Sequence, residues 1–223
     1  MKKIVNFMAV FCIMFFGLSN VTFAAHVGGT YLTSNPSATV GGYCEIYTRY
    51  TTPTATTSSF STAYIMVCGD ATDVYEYVQV GWIRGQNNPV STVYYFEYSN
   101  DQYDWGRVCS TVGPDTNSKH TYKAEFNSYT VSCRVDGVLI GSHLMDWSGI
   151  EAIQLMGERS STSSAFPGKP SKHEFFDVPQ YKTSAWHSIT TMDEWKQDLY
   201  GGLNTSKFNS SNNYRFDIWD TRY

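Results

Sequence analysis

Three polar side chains stand out because each is set among aromatic or apolar neighbours. Gln79 lies in Tyr75-Glu76-Tyr77-Val78-Gln79-Val80-Gly81-Trp82, beside a glycine that leaves room for a ligand to approach. Glu158 closes a run of apolar and small residues that includes Ile150, Ala152, Ile153, Leu155, Met156 and Gly157, and Glu97 sits inside Tyr94-Tyr95-Phe96-Glu97-Tyr98. Two polar groups facing one another across a surface are what acid–base hydrolysis requires. Each residue also has a plain structural reading. Gln79 fits a solvated strand face, Glu158 the first position of a loop, and Glu97 an ion pair with an arginine such as Arg84 or Arg107. Spacing alone does not separate these readings. His26, His120, His143, His173 and His187 are scattered without metal-ligand spacing, and no Cys-x-x-Cys occurs, so no metal or other cofactor is expected.

The elements that would position these groups are strands. From about residue 28 to 180 the chain reads as short runs broken by Gly, Asn, Pro and Ser. Between Asp73 and Ile83, Val74, Glu76, Val78, Val80 and Trp82 share one face, and Tyr75, Tyr77, Gln79, Gly81 and Ile83 share the other. Val93–Tyr98 follows as a second aromatic strand. Tyr129–Val135 and Val138–Ile140 flank Asp136-Gly137, a dipeptide suited to a type I′ hairpin turn. Ile150–Glu158 and Lys172–Val178 supply two more strands, separated by the polar segment Arg159–Ser171. Many strands without helical periods between them predict an all-β, antiparallel two-sheet β-sandwich over residues 25–186. The last part, 187–223, reads as an extension packed on it. Thr191-x-x-Glu194 matches a capping box opening a helix over 191–200, and Asn204–Asn213 reads as a Ser/Asn-rich loop.

Composition narrows the function. Charged residues make up 16% of the 223 and aromatics another 16%, with 17 Tyr, 13 Phe and 6 Trp, which excludes disorder. A formal charge of −4 argues against a nucleic-acid partner, since no basic excess exists to neutralise phosphates. Residues 1–24 read as a signal peptide: Lys2 and Lys3, an apolar stretch from Phe7 to Leu18, then Thr22-Phe23-Ala24 as a cleavage site. The stretch is too short to span a bilayer, so a secreted chain with no membrane attachment after cleavage is expected, as a monomer. Loss of two lysines would take the charge from −4 to −6. Cys12 leaves with the leader. Cys44, Cys68, Cys109 and Cys133 remain, an even number in an exported chain, and predict two disulfides with local pairing Cys44–Cys68 and Cys109–Cys133.

Val78-Gln79-Val80-Gly81-Trp82 resembles the Gln-x-Gly strand of the eqolisin glutamic peptidases, and the corresponding Glu-Ala-Gly-Trp strand of the related neprosin peptidases. Val93-Tyr94-Tyr95-Phe96-Glu97-Tyr98 is similar to the aromatic strand that follows in eqolisins. Leu155-Met156-Gly157-Glu158-Arg159, followed by Pro167-Gly168, resembles neprosin's Trp-Gly-Gly-Glu-Val and later Met-Gly-Ser-Gly. These motifs run in the same order over roughly residues 60–186. The resemblance implies a concanavalin-like, jelly-roll sandwich whose catalytic pair is Gln79 and Glu158. Glu158 would activate water and return the proton to the leaving amine, working at acid pH. Gln79 would position the water and donate to the oxyanion, Glu97 would support the site from beneath, and Tyr75, Tyr77 and Tyr95 would line it. The substrate would be a polypeptide. Arg159 has no counterpart in the family motif, and a cation beside Glu158 would depress its pKa. Aromatic sandwich faces also stack sugars, so a non-catalytic module binding an extracellular glycan or a surface, an inactive relative of the peptidases, is the alternative. A glycoside hydrolase would need Glu158 paired with Glu97 or Glu76.

Overall fold

Alternation of inward apolar and outward residues organises the chain into two stacked sheets. The computed structural model describes residues 26–32, 38–48, 60–71, 75–85, 88–101, 103–115, 117–160, 174–198, 203–210 and 213–220. Residues 1–24, expected to be a signal peptide, and the Pro167-Gly168 motif lie outside the described residues.

The first sheet has seven strands. From one edge to the other they are β13 (Asp193–Asp198), β1 (His26–Leu32), β10 (Ala152–Arg159), β3 (Phe60–Cys68), β4 (Tyr77–Gly85), β5 (Asn88–Ser99) and β6 (Trp105–Cys109). The second runs β14 (Leu203–Ser210), β15 (Asn213–Asp220), β11 (Glu174–Lys182), β2 (Gly41–Thr48), β7 (Ser118–Asn127), β8 (Thr130–Val135) and β9 (Val138–Leu144), with β12 (Trp186–Ser188) paired to β11. Every strand pair is antiparallel. The expected all-β sandwich is therefore the observed architecture. Asp136 and Gly137 join β8 to β9 with φ of 49° and 80°, the left-handed pair that a type I′ turn demands.

Between the sheets, Ile65 and Val67 of β3, Val78, Val80 and Trp82 of β4, and Ile153 and Leu155 of β10 meet Cys44, Ile46, Tyr122, Ala124, Val131, Cys133, Phe176 and Phe216. Each such large apolar side chain contributes about 1.5–3 kcal/mol by leaving water. The alternate residues of the first sheet point outward. There Val27, Tyr64, Met66, Cys68, Ile83, Val93, Tyr95 and Met156 form a second buried cluster. Strand β3 is buried along its whole length because both of its faces are covered.

Three expectations are corrected. Residues 193–198 form β13, not a helix, because their backbone pairs with β1 from Asp193↔Tyr31 to Asp198↔His26. A strand partner more than 160 residues away overrides the local capping signal. The Ser/Asn-rich stretch is largely a hairpin: β14 pairs with β15, which buries Tyr214, Phe216 and Ile218 in the core. Finally, Cys44, Cys68, Cys109 and Cys133 are all free thiols. Cys44 and Cys133 lie between the sheets, Cys68 faces the outer cluster and Cys109 is exposed on β6, so neither local pair shares a face from which to bond.

Candidate functional site

Strand register decides which side chains share the outer face of the first sheet. Glu158 on β10 stands opposite Thr62 on β3. One step along that face Met156, Tyr64, Gly81 and Tyr95 form a row, and one step further Gln154, Met66, Gln79, Glu97 and Arg107 form the next. Gln79 and Glu158 thus occupy the same face, with β3 between their strands and a row of tyrosines between their levels. A catalytic pair would be expected on neighbouring strands; these two are not on neighbouring strands, and no hydrogen bond joins them.

Each of the two makes its own pair. The Tyr64 hydroxyl donates to Glu158 Oε1 and also lies 3.4 Å from the Met156 sulfur. Gln79 Nε2 donates to Glu97 Oε1 at 2.7 Å, and the Tyr77 hydroxyl donates to the same oxygen at 2.9 Å. Arg107 Nε binds Glu97 Oε2 at 2.5 Å. Trp105 Nε1 donates to the Tyr77 hydroxyl at 3.0 Å, extending the network to the β6 edge. Glu97 therefore accepts on both oxygens and fixes the Gln79 amide, whose second N–H and carbonyl remain available. Of the alternative partners, Arg107 is the arginine that pairs with Glu97. Tyr95 bridges the two halves: its hydroxyl accepts from Thr62 Oγ1 at 3.1 Å, and its ring lies edge-on to Tyr64 with centroids 6.5 Å apart. Tyr75 sits in a bend ahead of β4, so strand alternation does not carry it onto this face as expected.

Gly81 makes the packing possible. A Cβ there would lie 2.1 Å from the Ala63 carbonyl oxygen and 2.5 Å from Tyr64 Cβ. The bare backbone lets β3 approach and lets Tyr64 lie across the row, so the space gained is taken by a tyrosine from within the protein.

The electrostatics separate the two glutamates. Burial raises the Glu158 pKa to about 7; the Tyr64 hydrogen bond and Arg107 pull it down, and the Glu97 charge pushes it up. Glu97 is thus near enough for its charge to be felt at Glu158 without touching it. Burial, then the charges of Glu158 and Tyr95, hold Tyr64 well above the ordinary tyrosine range, and burial and Glu97 do the same for Tyr77, so both stay protonated donors. Arg159 does not act on Glu158. The next residue on a strand faces the opposite way, and Arg159 enters the core, where it pairs with Asp220 of β15 at 3.4 Å, both side chains fully buried. Tyr64 and Arg107's precise role were not singled out by motif; a tyrosine in register beside a candidate carboxylate was the available signal. Among the described residues no cluster of His, Cys, Asp or Glu is arranged to hold a metal ion.

A β-sandwich carrying a raised-pKa carboxylate on the outer face of one sheet is the class that fold and geometry define. Among solved structures it is similar to Scytalido-glutamic peptidase with a peptide-based transition-state analogue, at TM-score 0.59 and 12% identity over 88% of this chain and 98% of that one. It is also similar to SCP-B, a member of the eqolisin family of peptidases in complex with the tripeptide Ala-Ile-His, at TM-score 0.51 and 12% identity over the same shares. At that identity the likeness is one of fold. No family model and no curated protein matches the sequence.

Proposed function

We propose that this chain is a glutamic-type endopeptidase in which Glu158 handles the proton and Gln79 supplies an amide donor. The observation that carries the reading is the Glu158 carboxyl, bonded to Tyr64 on the outer sheet face with a pKa near 7. The eqolisin fold and the motif order support it. In this reading ionised Glu158 takes a proton from water, and the resulting hydroxide adds to a peptide carbonyl carbon. The oxyanion is stabilised by a neutral donor, for which the free N–H of Gln79 is the candidate. The C–N bond then breaks as protonated Glu158 returns its proton to the leaving amine, giving a carboxylic acid and an amine. Glu97 and Arg107 act as positioning residues, holding the Gln79 amide in one orientation.

A carboxyl with a pKa near 7 is about half ionised at neutral pH, which suits a group that must both take and return a proton. By the same figure only about 1% is ionised at pH 5, so activity is expected to rise toward neutrality rather than peak in acid. Export by the N-terminal leader would place the activity outside the cytoplasm. The test is cleavage of a denatured protein by the mature chain across pH 3–8. Wild type should cleave, Glu158→Gln should not, and Gln79→Ala should lose on the order of 10²–10³ in rate. Equal cleavage by wild type and Glu158→Gln would assign any activity to other residues. No cleavage at any pH would leave a binding sandwich.

A further inference from the structure

The opposite side of the molecule, the outer face of the second sheet, carries a cavity of about 250 Å³ that plays no part in the chemistry above. Its floor is one continuous cross-strand row: Gln180 of β11, Tyr43 of β2, Lys123 of β7 and Arg134 of β8. Trp186 of β12 forms a wall. The Trp186 ring meets Tyr43 edge-on at 6.0 Å, and the Lys123 and Lys182 ammoniums lie 5.9 and 5.8 Å from its centroid. Gly41 lies beneath it, where an added Cβ would come within 3.2 Å of the ring.

Two further features mark this row as built. Between Asp177 and Gln180 the register slips by one residue against β2, and Val178 takes φ of 47°, a left-handed conformation costly for a β-branched residue. That bulge sends Pro179 inward and brings Gln180, instead of Pro179, beside Tyr43. The charge is also unbalanced. Glu125 bonds to both Lys123, at 2.9 Å, and Lys182, so one carboxylate meets two ammoniums, while Glu45, which accepts from Tyr43, is offset by its own ion pair with Lys119. Asp136 at the rim is already held by His120 at 2.6 Å and by the Thr121 amide at 2.8 Å. Arg134 gives Nη1 to the Gly137 carbonyl at 3.2 Å, an acceptor that carries no formal charge to offset the guanidinium. A local positive excess on a chain of formal charge −4 favours an anionic ligand specifically at this point.

We propose that this cavity binds an acidic saccharide, a uronic-acid unit of a polysaccharide. The aromatic wall offers a surface for the apolar face of a pyranose ring, and the Gln180 amide suits its hydroxyls; the Tyr43 hydroxyl, whose proton goes to Glu45 Oε1 at 3.2 Å, can accept from one of them, and the Arg134 guanidinium suits a planar carboxylate. At about 250 Å³, just under the usual range of ligand clefts, the cavity takes one ring rather than a length of folded partner. Bound there, a polysaccharide would leave the Glu158 face uncovered, so the site would anchor the protein without blocking it.

The test is titration of the full mature chain with a short oligogalacturonate, read by calorimetry and by tryptophan fluorescence. A neutral oligoglucan and a polyglutamate peptide serve as the other probes. Saturable oligogalacturonate binding is expected, with the neutral sugar far weaker. Arg134→Gln should weaken binding about tenfold, as loss of one charge-assisted hydrogen bond does. Trp186→Ala should abolish it, while Arg134→Lys should retain part and Glu158→Gln all of it. Thermal melts establish that each variant is folded, and Arg134→Gln, on a surface position, is the decisive one. No oligogalacturonate binding, or binding indifferent to Arg134→Gln, overturns the proposal. Polyglutamate binding as tightly as the sugar overturns the saccharide assignment.

Discussion

Replacing Glu158 by Gln should abolish any activity and yet stabilise the protein above neutral pH. A carboxyl whose pKa rises from an ordinary 4.5 to about 7 on folding holds its proton more tightly in the folded chain than in the unfolded one. Between those values the folded state carries more bound protons, so stability falls as pH rises. The contribution is fully present below about pH 4.5 and has gone above about pH 7. At 1.36 kcal/mol per pH unit the interval corresponds to about 3 kcal/mol, which solvent at this half-buried residue trims to about 2–3 kcal/mol. A glutamine preserves the shape and accepts the Tyr64 hydrogen bond without carrying a charge. Urea melts of wild type and Glu158→Gln at pH 4.5 and pH 8 measure the effect, with the slope m expected to stay unchanged. Comparing the two proteins at the same pH cancels Glu125 and Asp136, whose lowered pKa values stabilise both chains alike above the acid range. The variant should match wild type at pH 4.5 and exceed it by about 2–3 kcal/mol at pH 8. A variant no more stable than wild type at pH 8 would refute the claim that Glu158 is held ionised at a cost, and with it the physical ground for its role.

Tyr64→Phe removes the donor that favours the ionised carboxylate. The rising limb of the kcat/KM profile should therefore move to higher pH by about one unit, and a shift to lower pH would contradict the assigned hydrogen bond. Of the four described cysteines, Cys109 alone should alkylate in the native protein, and all four should do so in denaturant without reductant; mass spectrometry reads both, and any protected pair in denaturant would restore a disulfide. Asp220→Asn replaces the buried carboxylate of the Arg159–Asp220 ion pair by a neutral amide and should cost about 3–5 kcal/mol in urea melts; a loss under about 1 kcal/mol would mean that this ion pair is not what holds the end of β10 to β15.

Much of the sandwich follows from alternation that needs no knowledge of distant partners. Val78, Val80 and Trp82 face the core because Tyr77, Gln79 and Gly81 do not, and Asp136-Gly137 turns a hairpin through its own backbone preference. The same alternation runs through Tyr214, Phe216 and Ile218, with Arg215 and Asp217 between them, and marks β15 within a tail whose Asn and Ser content suggested a loop. What local pattern cannot supply is pairing. Thr191 and Glu194 satisfy a helix cap in isolation, but the unpaired edge of β1 offers this segment a ladder of backbone hydrogen bonds, and the ladder prevails.

The candidate site divides along the same line. Gln79 and Glu97 were each legible as polar residues on aromatic strands, and their contact follows once β4 and β5 pair as neighbours in register. Glu158 needed the placement of β10 beside β3, a partner some ninety residues earlier, before Tyr64 could become its hydrogen-bond donor. Arg159 carries the opposite lesson. As a charge adjacent in sequence it threatened to depress the Glu158 pKa, yet adjacency on a strand means opposite faces. Its guanidinium goes to Asp220 in the core, leaving burial free to raise Glu158. The final strand thus bears on the candidate site without touching it: by accepting Arg159 on the inner face, β15 secures the end of β10 from which Glu158 projects on the outer one.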